Sequence, residues 1–517
     1  MAYPSPTRIS TLDDISSNSS AFDAVILVSP NATFSESNVI DLALKNASSF
    51  DQRVGKEALL IAAPELAGGR LVFAPTGSLK NDYDDVRNFA DAAKAAIAIA
   101  KDAGSKNPAI IVDGAPETKD YQFAKEAAYL GACQGLWQPL EARQDLDEDL
   151  EPIQSIGIYD PNNTVDIDYI AAAESGRRLG RDLCGTEPER MAPIGFANYC
   201  VEAFAGTDIK VNVIADREVL EKSFPVFSAV ARASFSVKRH HPRIIELEYQ
   251  GEGPVEKTLM LVGKAVTYDT GGADVKVGGH MAGMSRDKGG GAAVAGFMKT
   301  VAELKPKGIK VVAKIAAVRN SIGTDAYVAD EIIKGHSGKR VRVGNTDAEG
   351  RLAMVDSLSH FREQAKNEVN PELYTVATLT GHAALTAGPY TILVANGPAR
   401  DANLPADIAA SGELWCDGCE ISRSRREDWK IIRPRSKADD VLSSNNGPSV
   451  SVARGHQFPM AFLSLASGLD EHGSHSDSPI PYVHVDIAGS GVEGGDWQHD
   501  KPTSSPILAF AGKYLKS

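Results

Sequence analysis

The chain has 517 residues, 43% hydrophobic and 24% charged, with 68 acids against 54 lysines and arginines and a net charge of −14. That length allows two domains with sizeable cores, and the acidic balance argues against nucleic acid as a partner, which needs a concentrated basic surface. No apolar run approaches the ~20 residues of a membrane span, so no membrane partner is expected.

The opening stretch, MAYPSPTRISTLDDISSNSS, is polar and turn-rich and lacks the apolar segment of a signal peptide, which predicts a cytoplasmic protein. Short apolar runs at 22–28, 58–63, 70–74 and 109–114 predict strands, and helical patterns fall at 84–104 and 119–136. Strands alternating with helices imply a mostly parallel sheet covered on both faces. An acidic stretch at 140–152 and the turn signal YDPNNT at 159–164 precede a predicted helix at 166–183. The boundary is therefore placed at 165, with a smaller α/β domain over 1–165, a larger one over 166–517, and the 166–183 helix linking them. In the larger domain strands are expected at 209–215, 243–250, 258–266, 309–318, 340–344, 373–380 and 481–489. The segment 435–480, rich in Ser, Gly, Asp and His, reads as loop.

Three clusters sit where strands should end, which is where open α/β sheets bind ligands. The first, VGKAVTYDTGGADVKVGG (262–279), places Lys264 at the end of an apolar strand, where burying a lysine is costly, and follows it with Asp269 and Lys276. A hairpin with surface lysines is the plainer reading. In the second, MSRDKGGGAAVAGFMKTV (284–301), Asp287 precedes three glycines and an apolar helix, a pattern that also suits a helix cap. The third, VGNTDAEGRL (343–352), follows a β-like run. On extended backbone Asp347 and Glu349 would project to one face, and two adjacent carboxylates call for a cation between them. Arg351 paired with one of these acids is the alternative. Taken together, the four carboxylates and two lysines fit one two-metal site.

NTDAEGRL, combined with VGKAVTYDTGG and RDKGG upstream and with ATLTG (377–381) and HVDIAG (484–489) downstream, resembles the leucyl aminopeptidase family of cytosolic two-metal exopeptidases. The likeness covers roughly residues 175–500 and is only architectural before them. It implies a smaller N-terminal α/β domain, a larger catalytic α/β domain with a central mixed sheet, and a homohexamer with active sites facing an interior cavity. It assigns Lys264, Asp269, Asp287, Asp347 and Glu349 as ligands of two divalent ions (zinc, manganese or magnesium). Lys276 and Arg351 become the catalytic pair, Arg351 holding a bicarbonate ion as general base. Met284, Thr378 and Gly381 would line the pocket for the first side chain of a peptide with a free N-terminus, leucine-like residues being preferred. A metal-activated water would release that residue. A family member that has become a binding or scaffold protein is the alternative, and a two-metal phosphoesterase is a third reading.

The chain departs from the family pattern at three places: Lys288 where an apolar residue such as methionine is usual, Asp274 where a small polar residue is commoner, and Gly344 where an aliphatic residue stands. Lys288 is expected either to compete with the second metal or to point to solvent. Cys416 and Cys419 have CxxC spacing without a partner pair, so ordinary thiols are expected there. The eleven histidines include no HExxH motif and read as structural or solvated, His484 as packing within a strand.

Overall fold

In the computed structural model, which describes residues 3–445 and 452–516, the apolar runs of the N-terminal region become strands. They are β1 (Ser5–Ile9), β2 (Ala24–Ser29), β3 (Leu59–Ala62), β4 (Arg70–Pro75), β5 (Pro108–Val112) and β6 (Ser155–Tyr159), in one sheet ordered β1-β6-β5-β2-β4-β3. Only β3 runs antiparallel to its neighbour. Every residue of β2, AVILVS, is buried, as expected of a parallel strand with both faces covered. β1 lies inside the stretch read as turn-rich. It is an edge strand whose burial alternates, so it carries no continuous apolar run. The chain divides into two compact units, one running to Ser175 and including Ser411–Cys416, the other comprising Gly176–Ala410 and the chain from Asp417 onward.

The second unit holds β7 (Lys210–Ile214), β8 (Arg243–Gln250), β9 (Lys257–Asp269), β10 (Ile309–Asn320), β11 (Ile332–Lys334) and β12 (Arg340–Arg342). β13 (Pro371–Ala377), β14 (Thr391–Ala395), β15 (Cys419–Ile421), β16 (Val441–Leu442) and β17 (Tyr482–Asp486) complete it. Eight of these form a mixed sheet, β15-β14-β17-β13-β9-β10-β8-β7, and β11, β12 and β16 form a small separate one. The four strands β17, β13, β9 and β10 are mutually parallel, so Asp486, Ala377, Asp269 and Asn320 all lie at one edge of the sheet.

Glycine lets a helix lie directly on this sheet. A β-carbon at Gly290 would come within 2.1 Å of the Val376 carbonyl oxygen in β13, and one at Gly291 within 2.7 Å of the Ala265 side chain in β9. The glycine run at the start of the Gly289–Leu304 helix therefore serves close packing. Lys288, not Asp287, stands at the N-cap of that helix, which leaves the Asp287 carboxylate available for other work.

Two local expectations are corrected. Asp347 and Glu349 do not share an extended run: the chain turns over 345–348, and Glu349 is the first residue of the Glu349–Ala365 helix. The segment 435–480 is not all loop, since it contains β16 and the buried Phe458–Ser467 helix. That helix is apolar on nearly every side, so no amphipathic period marks it in the sequence.

Candidate active site

β9 is buried along almost its whole length, and Lys264 lies within it at 2% exposure. A lysine there is tolerable only if its charge is matched. Its ammonium lies 2.8 Å from both Asp287 and Glu349 and donates to the Thr378 carbonyl at 2.9 Å. Gly350 makes room for it: a β-carbon at that position would sit 2.6 Å from Lys264 Cε. Lys276 reaches in from the loop after β9, 2.8 Å from Asp269 and in close contact with Asp347. The structure thus interleaves two ammoniums with four carboxylates. Oxygens of Asp269, Asp347 and Glu349 lie within 4.8 Å of one another, a spacing that suits a metal ion.

Charge in this cage is unbalanced. Burial would pull the Lys264 ammonium down, but Asp287, Glu349 and Asp269 outweigh it and hold it above the ordinary lysine value. For Lys276, too, burial is outweighed by Asp269, Glu349 and Asp347. The acids move the other way. Burial and mutual repulsion raise Asp287 and Glu349, and push Asp347 up to about 7 despite Lys276. Asp287 Oδ2 is buried and finds no hydrogen-bond partner among the described residues. Hard oxygen donors and a deficit of positive charge are what divalent cations would satisfy.

A pH dependence follows. The folded protein holds the Asp347 proton more tightly than the unfolded chain does, whose carboxyl sits near its ordinary value of 3.8. In metal-free buffer Asp347 therefore favours the fold at low pH, and that contribution is lost as pH rises through about 4 to 7. Thermal melts of metal-free parent and Asp347→Asn proteins over this range should differ in slope, the parent losing more. Parallel slopes would contradict it.

The remaining predicted residues converge on the same place. Lys264, Lys276, Met284, Asp287, Asp347, Glu349, Arg351, Thr378 and Gly381 all line, with Asp269, one cavity of about 590 Å³. Met284 opens a short turn that leads to Asp287, and Gly381 opens the Gly381–Ala387 helix. Thr378 has a second task, its hydroxyl donating to Asp287 Oδ1 at 2.7 Å. Arg351 does not pair with an acid. It donates from Nη1 to the Ser443 carbonyl at 2.9 Å and lies 4.8 Å over the Phe458 ring, while its buried Nε has no partner among the described residues. Burial lowers it to about 10, against the pull of Glu349 and Asp486.

Several positioning residues escaped the sequence reading. Asn320, at the end of β10, donates to Asp269 Oδ1 at 2.8 Å and to the Thr346 carbonyl at 3.1 Å, tying the two acidic segments together. Asp486 accepts from the Leu379 amide and the Thr380 hydroxyl and so fixes the loop after β13. Asp274 is part of this support: it accepts from the Thr346 amide at 2.7 Å and clamps the turn that carries Asp347. Gly344 donates its amide to the Ser443 hydroxyl. Lys288 neither enters the cage nor reaches solvent. It is fully buried, with its ammonium turned to the carbonyls of Thr186 and Ser285. Of the histidines, His280 and His382 line the cavity, whereas His484 is buried in β17 against the Thr375 hydroxyl. No disulfide joins the five cysteines.

Sequence comparison identifies the family to which this mixed sheet, with its cage of lysines and carboxylates at the strand ends, belongs. Residues 178–510 match the cytosol aminopeptidase family, catalytic domain, and the chain belongs to that family. It is 40% identical over 479 residues to a Caenorhabditis elegans protein named "Putative aminopeptidase", covering 91% of each chain. It is 30% identical over 382 residues to a "Probable cytosol aminopeptidase" of Roseiflexus castenholzii, covering 72% of this chain and 70% of that one. A third, the "Probable cytosol aminopeptidase" of Helicobacter hepaticus, is 33% identical over 337 residues, 64% of this chain and 65% of the relative. No described helix is long and apolar enough to cross a membrane.

Proposed function

We propose that this chain is a metal-dependent aminopeptidase that releases leucine-like N-terminal residues from peptides. The observation that carries the reading is the cage itself: Lys264 and Lys276 set among Asp269, Asp287, Asp347 and Glu349 in one cavity that also holds Arg351. Lys264, Asp269, Asp287, Asp347 and Glu349 would hold two divalent ions, zinc, manganese or magnesium, with Lys264 giving up its proton to ligate. Bound there, such ions supply Lewis-acid activation of a water and of the peptide carbonyl.

The chain's own residues do the rest. Lys276 keeps its proton because Asp269 and Asp347 favour the charged form, and it presents a donor where the carbonyl oxygen gains negative charge. Arg351 offers a planar guanidinium edge, held over the Phe458 ring, that matches a bicarbonate ion serving as general base. Met284, Thr378 and Gly381 would receive the first side chain, and Asp287 would lie near the free amine of the substrate. In the same reading residues 1–165 are the accessory domain, 166–517 the catalytic domain with 166–183 as the linking helix, and the protein is a cytoplasmic homohexamer.

The test is an assay of the purified protein on an aminoacyl fluorophore and on a phosphate ester, with and without chelator. Aminopeptidase turnover should vanish on chelation, return with manganese or zinc, and be lost in Asp347→Ala, with phosphate ester untouched throughout. Undiminished turnover in the chelated parent and in Asp347→Ala sinks the reading, and hydrolysis of the phosphate ester alone replaces it.

A further inference from the structure

One aromatic residue of the cavity has no part in the chemistry described above. Trp497 lines the same cavity as Met284 and Thr378, yet it comes from a loop far along the chain. Its side chain lies in a slot between two glycines. A β-carbon at Gly283 would come within 2.7 Å of Trp497 Cβ, and one at Gly491 would come within 2.9 Å of Cη2 at the tip of the indole. The second of these positions is also 3.6 Å from the Thr378 methyl group. The ring tip therefore lies beside Thr378, and the root of the side chain rests on the residue immediately before Met284. Any larger residue at Gly491 would have to displace the indole, and one at Gly283 would push on the backbone that carries it.

The loop that carries Trp497 is held from several sides. Val492 and Pro502 form an antiparallel bridge at its base, and the Glu493 amide donates to the Lys501 carbonyl at 2.9 Å. Inside the loop Asp500 accepts from the Asp496 amide at 2.9 Å, and Asp496 accepts from the Gln498 amide at 2.9 Å. Arg286, the neighbour of Asp287, donates to the Asp500 carbonyl and ties the loop to the turn that begins at Met284. The backbone that carries the indole is thereby tied to the turn beside the cage.

We propose that Trp497 is the specificity-determining wall of the first side-chain pocket, closing it against aromatic residues and leaving room for aliphatic ones. The inference rests on the aminopeptidase reading and refines its substrate class. Met284 and Thr378 form the sides of the pocket nearest the cage, and the indole takes the volume that the missing side chain of Gly491 leaves open. A flat ring in a fixed slot yields little, so a phenylalanine or tryptophan side chain meets a clash that alanine and leucine side chains avoid.

The experiment compares the parent, Trp497→Ala and Trp497→Leu on alanyl, leucyl and phenylalanyl coumarin amides with added manganese. The ratio of kcat/KM for phenylalanyl over alanyl substrate should rise about tenfold or more in Trp497→Ala, in the range that pocket size commonly commands. Trp497→Leu, which keeps an apolar side chain on the two glycines, should fall between, and it decides the matter if Trp497→Ala does not fold. A phenylalanyl to alanyl ratio that stays within about twofold of the parent, or falls, overturns the inference while the parent's turnover upholds the aminopeptidase reading. A parent with no turnover on any aminoacyl substrate overturns both.

Discussion

The Glu349→Gln protein is expected to fold, to melt no lower than the parent in metal-free buffer, and to lose aminopeptidase turnover almost completely. Glutamine keeps the volume of the side chain at the start of its helix, so the packing around Gly350 and Lys264 is undisturbed. It removes one of three carboxylates, with Asp287 and Asp347, that burial and mutual repulsion already hold towards the protonated form. Lys264 retains Asp287 at 2.8 Å, so its charge is not stranded. Catalysis is another matter. Metal assistance commonly supplies several kcal/mol, and at ~1.36 kcal/mol per tenfold the loss should be on the order of a thousandfold. Differential scanning calorimetry beside a turnover assay checks both halves. A folded variant retaining more than about a tenth of parental turnover shows that Glu349 is not a ligand, and a collapse in melting temperature shows that its role is structural.

Arg351→Met should slow turnover far more than it weakens substrate binding. Methionine fills much of the same volume, and its thioether packs against an aromatic ring such as Phe458. It cannot grip a planar anion. If Arg351 holds the base of the reaction, kcat should fall by roughly a hundredfold to ten-thousandfold, the usual worth of a positioned base, with KM little changed. Added bicarbonate should raise turnover of the parent and leave the variant unmoved. A rise in KM with kcat intact would assign Arg351 to substrate binding. The guanidinium is buried and bonded to a backbone carbonyl, not to an acid, and its Nε, with no partner among the described residues, is available for such an anion.

Lys264 was legible as an anomaly: a lysine inside a continuous apolar strand must be matched by charge, and three acidic segments were at hand to match it. Asp287, which alone read as a helix cap, and Asp347, which stood out as one of two neighbouring carboxylates, were assigned as ligands by the likeness to the family. The route to Glu349 was misread, because alternation in RVRVG suggested an extended chain that in fact turns at 345–348 and enters a helix. That helix, like Phe458–Ser467, is covered on most sides, and a helix without a wet face leaves no 3.6-residue period to detect. Asn320 and Trp497 were illegible for a different reason. Their meaning lies in strand order and in two distant glycines, and neither is a local property of the sequence. Lys288 shows the converse: its departure from the pattern was visible, but only the structure shows its ammonium turned away from the cage.

The two ammoniums inside the cage have a consequence for how the protein comes to work. In the proposed reading these ion pairs hold the acids in place ahead of the metal ions, so folding should not depend on metal supply. In the proposed reading, loading is then an exchange of protons for cations in a finished receptacle. The number of molecules made and the number at work become separate quantities, the second set by the free cation concentration and the acidity of the surroundings. A cell could silence or rouse its whole stock of this protein without making or destroying a single copy.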